Sequence, residues 1–143
     1  MRRQGKSLEI AHETLDFILE VSKSSHPQEF FGLLCAKNDL ITEVIFLPGT
    51  ISSEKSAVIR REMIPMGLRR VGSVHSHPSA GSLRPSGQDL RIFPRMGEYH
   101  IITCYPYEEQ DWRCYSALGE ERELRIRMGA APELEEGEEE LLW

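Results

Sequence analysis

Residues 71–90, VGSVHSHPSAGSLRPSGQDL, limit what this chain can fold into more than any other stretch. The first seven read as a strand, and Pro78 stops it because proline offers no amide to a ladder. Further on, Ser86 and Asp89 have the Ser-x-x-Asp spacing of a capping box, which opens a helix. A strand that ends in a loop and continues as a helix belongs to an α/β domain. Residues two apart in a strand share a face, so His75 and His77 project side by side and Ser76 turns away. The pair sits at the C-terminal end of its strand, where α/β sheets place their ligands.

The rest of the chain fits that frame. Leu8, Ala11, Leu15, Ile18, Leu19 and Ser22 follow helical spacing, and Ser7 is a suitable N-cap. Pro27 disfavours a helical His26 and ends this long N-terminal helix. FFGLLCA and LITEVIFLP read as a hairpin around KND, AVIRR as a short strand, and YHIITCYPY, DWRCYSA and ERELRIRM as three more. EMIPMGLRR is ambiguous, and the helix begun at Ser86 is expected to be disturbed at Pro94. The expectation is a single α/β domain over residues 1–128, a mixed curved sheet flanked by the long N-terminal helix and a short central one. Residues 129–143, GAAPELEEGEEELLW, follow as an acidic tail.

That tail explains the net charge of −6: it holds six glutamates and no Lys or Arg, so residues 1–128 carry 17 basic and 17 acidic side chains. The body therefore has no nucleic-acid footprint, which would need a clustered basic face. The tail reads as a solvated run, with docking of its terminal LLW on a partner as the alternative. Apolar runs such as VIFL and YHIITCYPY are too short to span a bilayer, and no apolar signal region follows MRRQGK. A cytoplasmic location without membrane contact is expected. Cys35, Cys104 and Cys114 lie in strand-like runs without a Cys-x-x-Cys pair, which points to buried thiols rather than a cysteine zinc site.

Asp89 is the only carboxylate between Glu62 and Glu98. The loop PSAGSLRP lets the first turn of its helix swing back over the histidines. Two imidazoles, one carboxylate and a water make a tetrahedral zinc site with an open position. Such a site brings the pKa of its water to about 7. Hydrolysis also needs a base that is not a ligand. Glu29 qualifies, since it stands directly before the apolar run FFGLLC. Singly, His-x-His in a strand is most often incidental, Ser86 with Asp89 is a helix cap, and Glu29 is an exposed acid. Together they place three ligands on two adjacent element ends and point to a metal. The alternatives fit poorly: there is no His-Glu-x-x-His helix, no deaminase Pro-Cys-x-x-Cys, and too short a chain for an amidohydrolase barrel.

HPQEFFGLL followed by HSHPSAGSLRPSGQD resembles the JAMM (MPN-plus) zinc metalloproteases, especially their compact archaeal and bacterial members. The similarity spans roughly residues 7–128. Family positions fall on Glu29, His75, Ser76, His77, Pro78, Ser86 and Asp89. The family usually has ten residues between the second His and the Asp. Here residues 78–88 make eleven, and Gly81 can absorb the extra one.

The resemblance implies a JAMM/MPN, cytidine-deaminase-like fold and zinc held by His75, His77 and Asp89. It implies Glu29 as the acid that moves the water's proton and Ser86 as the oxyanion donor. It also implies hydrolysis of the bond between the C-terminal Gly of a ubiquitin-like modifier and a lysine amine of its target. Ubiquitin-like conjugates are the implied partners, with a homodimer left open. The modifier's tail would add as a strand beside the groove, for which SAVIRREMIP, with Ile59, Arg60 and Arg61, is the candidate edge. Its plainer reading is an edge strand that its arginines protect. Two other functions remain: a non-catalytic MPN-type binding module, and a zinc peptidase that trims a sulfur-carrier C-terminus.

Overall fold

The structure, a computed structural model, describes residues 7–47 and 64–129. Among the described residues, seven strands and two helices follow one another as β1 (Glu9–Ala11), α1 (His12–Ser25), β2 (Phe31–Lys37), β3 (Leu40–Leu47), β4 (Arg69–His77), α2 (Gly87–Met96), β5 (Tyr99–Cys104), β6 (Trp112–Tyr115) and β7 (Arg125–Arg127). The strands form one mixed sheet in the order β6-β5-β4-β2-β3-β1-β7. The expected strand AVIRR lies outside the described residues, as do Ile59, Arg60, Arg61 and nearly all of the acidic tail.

The two most apolar runs take interior places, each paired on both sides. β2 pairs antiparallel with both β3 and β4, and its first six residues are buried. β5 pairs parallel with β4 and antiparallel with β6, and all six of its residues are buried. A strand covered on both faces needs a continuous apolar run rather than alternation. The β2–β3 hairpin turns at Asn38, whose φ of 58° is a left-handed conformation that asparagine tolerates.

Each face has its own cover. α1 buries Thr14, Leu15, Ile18, Leu19 and Ser22, and its apolar residues join Ile10, Leu34, Ile41, Val74 and Ile101 in the main core. α2 covers the other face: Ile92 and Met96 pack on Phe31 and Leu33, and Phe93 packs on Ile102 and Tyr115. Burial at about 25 cal/mol per Å² of apolar surface is the main force fixing both helices.

The N-terminus differs from its expected form. Ser7 does not cap a helix; the helix starts at His12 after Ala11, which makes no side-chain cap bond. Residues 9–11 instead form β1, a parallel insert between β3 and β7. Ile10 is fully buried, the Glu9 amide donates to the Asp39 carbonyl at 2.9 Å, and the Leu8 amide donates to the Tyr99 hydroxyl at 3.0 Å. Pairing on two sides plus burial outweighs one cap, which is worth only about 1 kcal/mol. The expected disturbance at Pro94 is also absent: α2 runs through it to Met96, with Pro94 on the exposed face. β6 and β7 are shorter than their sequence runs, and a lone bridge joins Tyr115 to Glu121.

Candidate metal centre

β4 and α2 bring the three expected ligands together. His75 and His77 leave the end of β4 on one face, and Asp89 occupies the first turn of α2. Nε2 of His75 lies 3.1 Å from Nε2 of His77 and 3.1 Å from Oδ2 of Asp89. The third side of the triangle, His77 Nε2 to Asp89 Oδ2, is 3.5 Å. All three side chains are largely shielded from solvent, His75 most of all.

Local structure aims each group. The Nδ1–H of His77 donates to the Ser82 carbonyl at 2.8 Å, which fixes its tautomer and leaves the Nε2 lone pair facing the triangle. His75 is held against the Phe31 ring, stacked at 6.3 Å between centroids. Asp89 is fixed by a capping box: its amide donates to Ser86 Oγ, and the Ser86 amide donates to its Oδ2 at 2.8 Å. The loop between the strand and the helix turns at Gly81, whose φ of 72° suits glycine. Across that loop Asp89 faces both imidazoles.

The electrostatics fit a cation. Burial works against a charge on Asp89, but hydrogen bonds from His75 and His77 outweigh it and hold the carboxyl far below its usual range. Burial likewise works against a proton on His77. Hydrogen bonds to Asp89 and to the Ser82 carbonyl, with the charges of Asp89 and Glu29, reverse that and raise its pKa. The His77 bond to Asp89 belongs to the protonated ring; in the neutral ring Nε2 is an acceptor, as is the Asp89 carboxylate, and His75 Nε2 can donate to only one of them. A divalent metal at the centre satisfies all three at once.

A cavity of about 470 Å³ adjoins the triangle, lined by Pro27, Gln28, Glu29, Phe30, Phe31, His75, Pro78, Gln88, Asp89 and Ile92. Glu29 is exposed at its edge, in the link between α1 and β2, and its charge is felt at His77. Ser86 is exposed at the start of α2, next to this lining rather than in it.

Beneath the site lies a buried histidine that sequence reasoning did not single out. His100 is fully buried, stacked on Phe93 at 4.1 Å, with Nδ1 2.7 Å from Ser73 Oγ and Nε2 2.7 Å from the Gly97 carbonyl. Burial pushes its pKa down to about 4, so it is neutral and pins the end of α2 to β4 and β5. Tyr107 was also unmarked: its hydroxyl is 2.9 Å from Nδ1 of His26 and donates to the His77 carbonyl at 3.4 Å. The Ser73–His100 and His26–Tyr107 links join residues 27 and 81 positions apart, so no local pattern announces them.

The sheet order and the His-His-Asp cluster define a JAB/MPN-type metal-site protein. The chain belongs to the family of prokaryotic homologues of the JAB domain, which it matches over residues 12–115. A protein of Haloferax volcanii described as a probable metalloprotease is 39% identical over 134 residues, 87% of this chain and 82% of that one. A JAB1/MPN domain protein from Archaeoglobus fulgidus is 46% identical with a TM-score of 0.70, over 83% of this chain and 98% of that one. A structure described as JAMM, a metalloprotease-like zinc site in the proteasome and signalosome, is 43% identical with a TM-score of 0.69, over 85% and 99% of the two chains. Family, fold and ligand set together make this chain a metalloprotease of the JAMM type. Among the described residues, no helix is long and apolar enough to cross a membrane.

Proposed function

We propose that this chain is a zinc-dependent isopeptidase that cleaves the bond between the C-terminal glycine of a ubiquitin-like modifier and a lysine amine of its target. One observation carries the reading: the three ligand atoms stand 3.1, 3.1 and 3.5 Å apart beside a cavity edged by a separate acid, Glu29. Ligand atoms at about 2.0–2.1 Å from a tetrahedral zinc ion stand about 3.3 Å from one another. The similar structure described as JAMM, a metalloprotease-like zinc site in the proteasome and signalosome, supports the metal, and the substrate class rests on the motif resemblance of Glu29, His75, His77, Ser86 and Asp89.

His75, His77 and Asp89 would hold the ion. Bound zinc supplies a Lewis acid and brings the pKa of a water from 15.7 to about 7. Glu29 would take a proton from the attacking water as the water oxygen bonds to the glycine carbonyl carbon. Ser86 accepts the Asp89 amide with Oγ, which leaves its hydroxyl proton to donate to the carbonyl oxygen as it gains charge. Glu29 then delivers the proton to the lysine nitrogen as the carbon–nitrogen bond breaks, releasing a carboxylate and an amine. The cavity floor of Phe31 and Ile92 suits an extended apolar-and-glycine tail.

The test is cleavage of a modifier joined to lysine, run beside a linear carrier with a C-terminal extension. Glu29→Gln should keep about one zinc per chain and lose roughly 10²–10⁴ in rate. Full activity of that variant would show that Glu29 is not the base. Cleavage of the linear carrier alone would replace the isopeptidase reading by the trimming peptidase, and zinc binding without any cleavage would leave the binding module.

A further inference from the structure

Glu29 sits in a short link, residues 26–30, between α1 and β2, and both ends of that link are fastened to the strand that carries the imidazoles. At one end Phe30 faces Ser76, the residue between the two histidines. The Ser76 amide donates to the Phe30 carbonyl at 3.2 Å, a normal rung of the β2–β4 ladder. The return bond is diverted: the Phe30 amide donates to Ser76 Oγ at 3.0 Å. A regular antiparallel pair would exchange two main-chain bonds at this position. The hydroxyl takes the place of a carbonyl there, so the ladder ends and the chain bends away at Glu29. Ser76 is fully buried, so no solvent competes for that bond.

At the other end Tyr107 holds His26. Its hydroxyl is 2.9 Å from His26 Nδ1 and donates to the His77 carbonyl at 3.4 Å. The His26 ring also stacks on Tyr105 at 4.6 Å between centroids. Tyr107 is 2% exposed and its φ is 63°, a left-handed conformation uncommon for a tyrosine, which packing must hold.

We propose that Ser76 and Tyr107 are positioning residues for Glu29, clamping the two ends of its link to the metal-binding strand. This rests on the reading of Glu29 as the base. The Glu29 side chain is exposed, and a base must come within about 2.6–3.2 Å of the proton it takes. A displacement of about 1 Å can cost 10²-fold in rate, so the backbone that carries the acid has to be held.

The experiment uses the zinc-loaded full chain and the modifier–lysine substrate. Ser76→Ala and Tyr107→Phe should each lower kcat by roughly 10-fold or more, with KM within about twofold and zinc affinity unchanged by chelator competition. Ser76→Thr keeps the acceptor oxygen and should restore kcat. In the Glu29→Gln background, adding Ser76→Ala should bring no further loss, because both act through one group. Multiplying losses, or a fall in zinc affinity that accounts for the lost rate, would make the clamps merely structural and overturn the proposal. Wild-type kcat in both single variants beside an inactive Glu29→Gln overturns this proposal alone. Full activity of Glu29→Gln overturns it together with the reading it rests on. Should Ser76→Ala fail to fold, Tyr107→Phe and its double variant with Glu29→Gln decide the matter on the same terms.

Discussion

Ser86 and Asp89 hold each other across the first turn of α2, with the Asp89 amide 3.1 Å from Ser86 Oγ and the Ser86 amide 2.8 Å from Asp89 Oδ2. The same carboxylate oxygen faces His75 Nε2 at 3.1 Å. Helix start and metal cluster are therefore one assembly, and damage to either reaches the other.

Ser86→Ala removes both a cap and the proposed oxyanion donor. The cap is worth about 1 kcal/mol, which lowers Tm by a few degrees. Loss of the donor should reduce cleavage by ~10²–10³. Ser86→Asp keeps a capping oxygen but, ionised, offers no donor, so it should recover Tm and leave the rate low. Calorimetry and a cleavage assay on the two variants check this, and a recovered rate in the Asp variant would remove Ser86 from catalysis.

Chelation should destabilise the fold. A ligand at about 1,000 times its Kd adds about 4 kcal/mol to the native state. Tm is expected to fall when zinc is stripped and to return with about one equivalent. Asp89→Asn lacks the carboxylate of the triangle and should show much less of this metal-dependent shift. An equal zinc response in that variant would place the ion elsewhere.

His100 makes a pH prediction whose sign follows from its burial. Its folded pKa, about 4, lies below the ordinary value of about 6.5. The unfolded chain therefore binds the proton more readily, and the stability His100 contributes is fully present above pH 6.5 and lost as pH falls toward 4. The full span is worth roughly 3 kcal/mol. His77, raised by its neighbours in the metal-free protein, pulls the other way and loses its contribution as pH rises. The difference between wild type and His100→Gln isolates His100. Urea midpoints of the two metal-free proteins should converge between pH 7 and 4.5, and a constant gap would contradict the assignment.

Gly72 is a steric prediction. A Cβ there would overlap the Tyr99 carbonyl, in the parallel pair that joins β4 to β5. Backbone cannot yield as a side chain tip can, so Gly72→Ala should cost at least about 3 kcal/mol. Soluble yield and Tm report it; a variant as stable as wild type would mean that the two strands are less closely apposed.

Much of this site was readable because it is local. His75 and His77 share a face by strand periodicity, and Asp89 falls in the first turn of a helix whose cap is written three residues earlier. β2 and β5 announced themselves as unbroken apolar runs. β1 did not, since Leu8 and Ala11 are inward in a helix phase as well as in the strand they border. Burial of Ile10 between two strands decides between the two, and that depends on residues over 100 positions away. Pro94 was misjudged because its cost depends on which face it occupies, and it faces outward. The Tyr107 link to His26 spans 81 residues and has no local sign. The groove edge expected at Ile59, Arg60 and Arg61 falls outside the described residues.

Phe31 stands opposite His75 in the β2–β4 ladder, so main-chain pairing sets how far the acid lies from the imidazoles. Apart from Gly72 and Ser76, whose replacement disturbs the backbone itself, side-chain changes within either strand leave that gauge intact, whereas a slip of one position would turn every side chain to the wrong face. Variation that retunes what this protein cuts is thereby steered outside the ladder, to the bend after Pro78 and the approach to Glu29. Anyone seeking altered specificity would diversify those segments and leave the paired strands alone.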